Sequence, residues 1–231
     1  MSVEERNGDR EELDHHAAGV VANKLTNRVR ESGSAVLGVV GGRSVTGIYT
    51  ELTDRDLPWE NIHIFLADER LVPITSEESN WQVVHSMLVH PLGESGRLPR
   101  ENAHPFLVQE DTPLAGIAAY TDELRRCGGR FDAVVLSAGE DGHTASLFPD
   151  HASVRAHGSH YVLVEDAPKP PARRLSASRE LLEASGLSVL VFYGDAKADA
   201  LDRFRDDAIS IANCPSKLVT ESGQAWVYSD I

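Results

Sequence analysis

Cysteine is scarce in this sequence. Its 231 residues hold two, Cys127 and Cys214, far apart and in no Cys-x-x-Cys or Cys/His ligand spacing. That excludes a disulfide framework, and both thiols are read as reduced packing residues. Lysine is nearly as scarce: it occurs only at Lys24, Lys169, Lys197 and Lys217, so arginine carries most of the positive charge. Positive charge as a whole is short, and the net charge is -14. A chain this acidic is repelled by a phosphate backbone and by an anionic bilayer, which argues against nucleic acid and membrane partners. No apolar run approaches the ~20 residues of a bilayer span, and Met1 to Arg10 contains no apolar signal segment. A cytoplasmic protein is the expectation. An anionic small molecule remains possible where the local field is positive, so the placement of the few cations is informative.

What is present reads as an ordinary globular chain, 41% hydrophobic and 25% charged. Its length allows a single domain over residues 1–231, with residues 1–10 a flexible lead-in. Leu13, Ala17, Val20, Val21, Leu25 and Val29 recur at helical spacing and predict an amphipathic helix. The continuous apolar runs AVLGVV (35–40), IHIFLA (62–67), FDAVVLS (131–137) and SVLVFY (188–193) suit strands buried on both faces of a parallel sheet. Shorter strands are expected at 161–164 and 225–228. Helices are expected at 45–52, 79–89 (ended by His90-Pro91), 114–127, 176–185 and 196–204. Residues 93–105 read as loop, and APKPP (167–171) as a rigid proline-rich loop. Strands alternating with helices predict an α/β fold with a mainly parallel sheet. Ligands of such sheets bind beyond the carboxyl ends of the strands.

Four segments carry chemistry at those ends. Gly41-Gly42-Arg43-Ser44 links a buried strand to a helix. Its glycines let backbone approach an anion, the helix start offers N–H groups, and Ser44 and Arg43 add a hydroxyl and a charge. It has neither Walker nor dinucleotide glycine spacing. Asp68-Glu69-Arg70 follows IHIFLA and puts a carboxylate and a guanidinium at a cleft mouth, or else forms a solvated turn. In SAGEDGHTASLFP (137–149) a strand runs out into glycines and presents Asp141 with His143. Histidine side chains titrate near ~6.5, so an imidazole is suited to act as base near neutrality, with Asp141 to orient it. Ser137 lies in VLSAG, which lacks the first glycine of a nucleophile elbow. The last group is cationic: Lys169 and Arg174 flank the proline-rich loop, and Lys197 begins a helix. A cation there opposes the helix dipole, so helix stability does not explain it and an anionic ligand does. His15-His16 lacks i, i+4 metal spacing, and His85, His90, His104, His151, His157 and His160 show no ligand set in the sequence.

Together these motifs resemble the 6-phosphogluconolactonase family, part of a wider group with the glucosamine-6-phosphate deaminases. The resemblance runs from about Leu13 onward. It rests on FDAVVLSAGEDGHTASLFP, DERLVPITSEESNW, APKPPARRLS, GDAKADAL and NCPSKLV. It implies a modified Rossmann-like, mainly parallel sheet flanked by helices, of the kind shared with those deaminases and with ribose-5-phosphate isomerases. It implies no metal and no cofactor, and a sugar-phosphate lactone as substrate of a monomer or homodimer. It implies that His143 activates water beside Asp141, and that Arg174 and Lys197 hold the phosphate with the loop Gly41, Gly42, Arg43 and Ser44. Arg70 and Asp68 then lie in the cleft. Two positions depart from the family pattern: Arg43-Ser44-Val45 replaces a usual Ser-Thr-Pro, and Ser137 a usual glycine. The deaminases carry a glutamate five residues after the histidine, where this chain has Phe148, and an aromatic where it has Arg70. A deaminase or isomerase on the same fold, or a non-catalytic sugar-phosphate sensor, are the alternatives.

Overall fold

In the computed structural model, which describes residues 3–109, 111–158 and 160–231, the expected lead-in is corrected first. Val3–Asn7 form strand β1, whose residues pair in parallel with Ala225–Ser229. Its side chains are mostly exposed and charged, so backbone pairing alone holds it and no apolar alternation marks it in the sequence. Helix α1 (Arg10–Ser32) starts where the Asp9 carboxylate accepts from the Glu11 N–H and stops at Gly33, which takes φ 83°. Leu13, Ala17, Val21 and Leu25 give it one buried face.

The apolar runs become core strands: β2 (Ala35–Val39), buried throughout, then β3 (Ile62–Leu66), buried except at His63, after α2 (Thr46–Thr53). Asp68–Arg70, expected as a turn or a cleft mouth, are a short strand β4. Helix α3 (Asn80–Val84) does not end at Pro91. It widens into a π-helical turn at His85–Val89, where the His90 N–H reaches the His85 carbonyl, and continues as α4 (His90–Glu94) with Pro91 in its first turn. Proline lacks an N–H and its ring crowds the carbonyl four residues back, and the wider π-helical turn just before it accommodates both. The expected loop at 93–105 holds a two-residue strand, β5 (Ala103–His104). Then come α5 (Pro113–Arg126), β6 (Ala133–Ser137), the short α6 (Ala152–Arg155) and β7 (Tyr161–Val164). The expected helix at 176–185 is split. Arg174–Ala177 are β8, and α7 (Arg179–Glu183) begins only after Ser178 accepts from the Leu181 N–H. The chain ends with β9 (Ser188–Phe192), α8 (Ala198–Arg205) and β10 (Ala225–Ser229).

Among the described residues the strands form two sheets. One has seven strands in the order β1-β10-β9-β6-β2-β3-β5, all parallel. The other is antiparallel, β4-β8-β7. From β2 the chain crosses to β3 on one side, whereas β6 feeds β9 on the other. The crevice between the carboxyl ends of β2 and β6 is therefore a topological switch point, where such sheets bind ligands. The Tyr49 hydroxyl fixes the end of β2 by donating to the Val40 carbonyl at 2.7 Å. No described helix is long and apolar enough to cross a membrane.

Candidate active site

The small sheet lies beside that crevice, which explains how three charged residues follow a buried strand. Glu69 is 2% exposed, and its carboxylate accepts from the N–H groups of Arg70 (2.6 Å), Asn80 (2.7 Å) and Trp81 (2.9 Å) and from the Ser79 hydroxyl (2.8 Å). It caps α3 from another element. Burial raises its pKa, and these four donors oppose the rise. Glu69→Ala leaves buried donors unpaired and is expected to cost about 3–5 kcal/mol. The melting temperature should then fall by roughly 6–20 °C in a thermal unfolding scan. A fall of only a degree or two would show that the cap does not hold α3 in place.

Asp68 is buried next to it, accepting from the Asn80 side-chain amide (3.0 Å) and the Ser146 hydroxyl (2.8 Å). Asn80 thereby touches the glycine loop: a Cβ on Gly41 would lie 2.3 Å from its Oδ1, so only glycine fits there. Asn80 did not stand out as a site residue in the sequence, although it sits in the SNW that closes the DER segment. Arg70 donates from Nη1 to the Glu78 carbonyl (2.6 Å), while its Nε–H has no partner among the described residues.

The Gly139–His143 loop is a tight turn, with the Gly139 N–H on the His143 carbonyl (2.8 Å) and the Gly142 N–H on the Gly139 carbonyl (3.0 Å). The segment before β10 pins it: Ser216 donates through N–H and hydroxyl to the Gly142 carbonyl, and Arg203 donates to the Asp141 carbonyl (2.9 Å). His143 Nδ1 meets Asp141 Oδ1 at 2.5 Å, and Lys169 Nζ lies 3.5 Å from the same oxygen. Burial alone would raise the Asp141 pKa, but the His143 hydrogen bonds and charge, with Lys169, hold it well below the usual carboxylate range. The His143 ring packs on Phe148, with centroids 4.8 Å apart.

One cleft of about 110 Å³ collects Gly41, Asp68, Arg70, Asn80, Ser137, His143 and Arg174. A larger pocket of about 740 Å³, lined by Trp81, His85 and Leu107 among others, lies elsewhere. Chemistry rather than size singles out the smaller one. Lys197 reaches this cleft through Ser137. The order β9-β6-β2 sets three strand ends side by side, so Lys197, beyond β9, donates to Ser137 (2.8 Å) at the end of β6 and to Ser44 (3.1 Å) beyond β2. Burial, and then Arg10, lower its pKa to about 8, with Asp230 and Glu140 opposing.

Arg174 is in the cleft wall but is 4% exposed, and it donates through Nε and Nη2 to the carbonyls of Pro171, Lys169 and Pro170. It shapes the proline-rich loop as well as adding charge. Gly42 and Arg43 are exposed, and the Arg43 carbonyl accepts from Arg10 (2.9 Å). Neither is among the residues lining the enclosed cleft.

An imidazole–carboxylate pair and several cations thus meet at the switch point of a parallel sheet, an arrangement suited to an enzyme with an anionic substrate. Residues 8–228 match the sequence model described as glucosamine-6-phosphate isomerases/6-phosphogluconolactonase. The chain is 30% identical over 195 residues to the 6-phosphogluconolactonase of Borreliella burgdorferi, covering 84% of this chain and 83% of that one. It is 33% identical over 190 residues to that of Pseudomonas aeruginosa, covering 80% and 77%. In fold it matches a 6-phosphogluconolactonase structure from Shewanella baltica, with a TM-score of 0.87 at 23% identity over 100% of this chain and 98% of that one. A monomeric glucosamine-6-phosphate deaminase also matches in fold, with a TM-score of 0.80 at 20% identity over 100% and 97%. The chain belongs to the 6-phosphogluconolactonase family, a family of lactone-hydrolysing enzymes.

Proposed function

We propose that this enzyme hydrolyses 6-phospho-D-glucono-1,5-lactone to 6-phosphogluconate, the lactone-opening step of the oxidative pentose phosphate pathway, with His143 as general base. The observation that carries the reading is the Asp141–His143 pair facing a cleft whose other walls hold Arg70 and Arg174. Asp141 accepts a hydrogen bond from Nδ1–H, which leaves the Nε2 lone pair to take a proton from water. The hydroxide adds to the lactone carbonyl, and the Arg70 guanidinium stabilises the resulting oxyanion. The tetrahedral species collapses with cleavage of the ring C–O bond. The imidazolium returns its proton to that ring oxygen, and the new carboxylic acid ionises in water. The cleft is small and open to one side, so the ring occupies it and the phosphate arm extends to Lys197, Ser44 and the glycine loop.

The same site argues against amino-sugar deamination. Phe148, buried at 0% exposure, stands where the deaminases carry a glutamate, and it covers His143 with an apolar ring instead of a proton relay. A coupled assay on freshly made lactone, corrected for spontaneous hydrolysis, should show turnover, while glucosamine 6-phosphate should release no ammonia. Tight lactone binding without turnover would reverse the reading in favour of a sensor.

Lys197→Ala should raise KM with little change in kcat, because phosphate contacts exist in ground and transition states alike. The wild-type pH profile carries the same signature. Only the protonated amine binds phosphate, so kcat/KM should fall as pH rises through about 8. That limb should vanish in Lys197→Ala, and an unchanged KM in the variant would remove Lys197 from the phosphate site.

A further inference from the structure

A second cluster of metal-ligating side chains stands at the far edge of the large sheet. In the sequence His104 belongs to no ligand pattern, because its neighbours come from other elements. His63 is in β3, and His104 is in β5, the edge strand. Pairing of Phe65 with His104 puts His63 and His104 on one sheet face, since side chains two apart in a strand share a face. His104 stacks on Phe65 with centroids 4.1 Å apart, which holds its ring plane. Cys127 follows the last turn of α5, where its N–H closes on the Glu123 and Leu124 carbonyls.

The result is His63 Nδ1 at 3.1 Å from His104 Nε2, with the Cys127 sulfur within 4.8 Å of both. We propose that His63, His104 and Cys127 form a binding site for a borderline-soft divalent transition ion of the Zn²⁺ class, which fastens the edge strand β5 to β3 and to the end of α5. Two imidazoles and a thiolate are the donor set such ions take. Two nitrogens on a tetrahedral Zn²⁺ stand roughly 3.3 Å apart, and a nitrogen and a sulfur about 3.6 Å apart. The histidine pair already has that spacing, and the thiol needs a shift of about 1 Å. All three side chains are half-buried, beside a surface pocket of about 400 Å³ that leaves room for a fourth ligand.

A carboxylate stands behind one of the proposed ligands. Glu123 lies 3.6 Å from His104 Nδ1, the nitrogen that faces away from the cluster. That gap is slightly longer than a hydrogen bond, and a shift of under ~1 Å would let the carboxylate accept from Nδ1–H and fix the tautomer, as in other histidine metal sites. Arg126 lines the same pocket and weakens the field for a cation, while Glu123 and the thiolate oppose it. On binding, the Cys127 thiol releases its proton and the sulfur forms the bond to the ion. The pocket shares no residue with the catalytic cleft.

Co²⁺ titration of the full chain, stripped beforehand with EDTA, tests this. One equivalent should give the near-ultraviolet thiolate charge-transfer band and the intense visible bands of a tetrahedral site, both abolished by Zn²⁺. Cys127→Ser should remove the charge-transfer band, and His104→Ala should abolish tight binding. Zn²⁺ at one hundred times its Kd should raise the wild-type melting temperature by roughly 5–10 °C. Lactone turnover should not change in either variant. Absence of a charge-transfer band, or bands that persist in Cys127→Ser, would overturn the proposal and leave the histidine pair as an N–H···N hydrogen bond. Cys127→Ser is nearly isosteric, so the test stands even if His104→Ala does not fold.

Discussion

His143→Ala is expected to lower kcat by roughly 10²–10⁴-fold while the circular dichroism spectrum stays that of the wild type. The loop that carries the ring is held by its backbone, through Ser216, Arg203 and the Gly139–His143 bond, so the side chain is not needed to shape it. Among the described residues the imidazole instead has one polar partner, Asp141, whose depressed pKa keeps it ionised throughout the working range. In the proposed mechanism, an ionised carboxylate on Nδ1 stabilises the imidazolium formed as water is deprotonated. Asp141→Asn should therefore also lower kcat, because an amide donates as readily as it accepts and no longer fixes the tautomer. Full turnover by His143→Ala in the corrected lactone assay would remove the base from the mechanism, whatever the fold.

The sequence makes the large sheet legible because its central strands are buried on both faces. Ala35–Val39 and Ser188–Phe192 are uninterrupted apolar runs, and little else in a chain of this composition yields them. The Gly139–His143 loop is legible for a related reason: glycines that break such a run and then expose an aspartate and a histidine suit a site better than a core. What escaped is held by backbone pairing without an apolar signature. Strand β1 is mostly exposed, β5 has two residues, and β4 consists of three charged residues whose partners arrive from α3 and β8. Leu-Ser-Ala-Ser at 175–178 reads as a helix start, because the serine cap that begins α7 lies one residue after the strand it was merged with. Arg174 is readable as a cation but not as the buried brace of a proline-rich loop. The Lys197–Ser137–Ser44 bridge spans 153 residues and depends on strand order, which pattern alone does not supply.

Gly139→Ala should nearly silence the enzyme, though it adds only one methyl group at a residue that has no functional side chain of its own. Gly139 is not among the residues with positive φ, so alanine can adopt its backbone conformation without strain. The obstacle is steric. Its Cβ would lie 2.0 Å from His143 Nδ1, 2.1 Å from Cε1 and 2.7 Å from Asp141 Oδ1. The backbone there is fixed by two turn hydrogen bonds, so the imidazole and carboxylate are what must move. A catalytic group displaced by about 1 Å costs on the order of 10²-fold in rate, and kcat should fall by at least that much. KM should change little, since Lys197 and Ser44 lie outside the contact. Gly96→Ala is the control: its φ is 70° but no atom stands within 4 Å of the added Cβ, so it should cost some stability and leave kcat alone. The double variant Gly139→Ala/His143→Ala separates steric displacement from a general loosening of the loop. If the methyl acts only by moving the ring, the double variant is no slower than His143→Ala. Additive losses would mean that Gly139 serves the reaction by some route other than making room for His143.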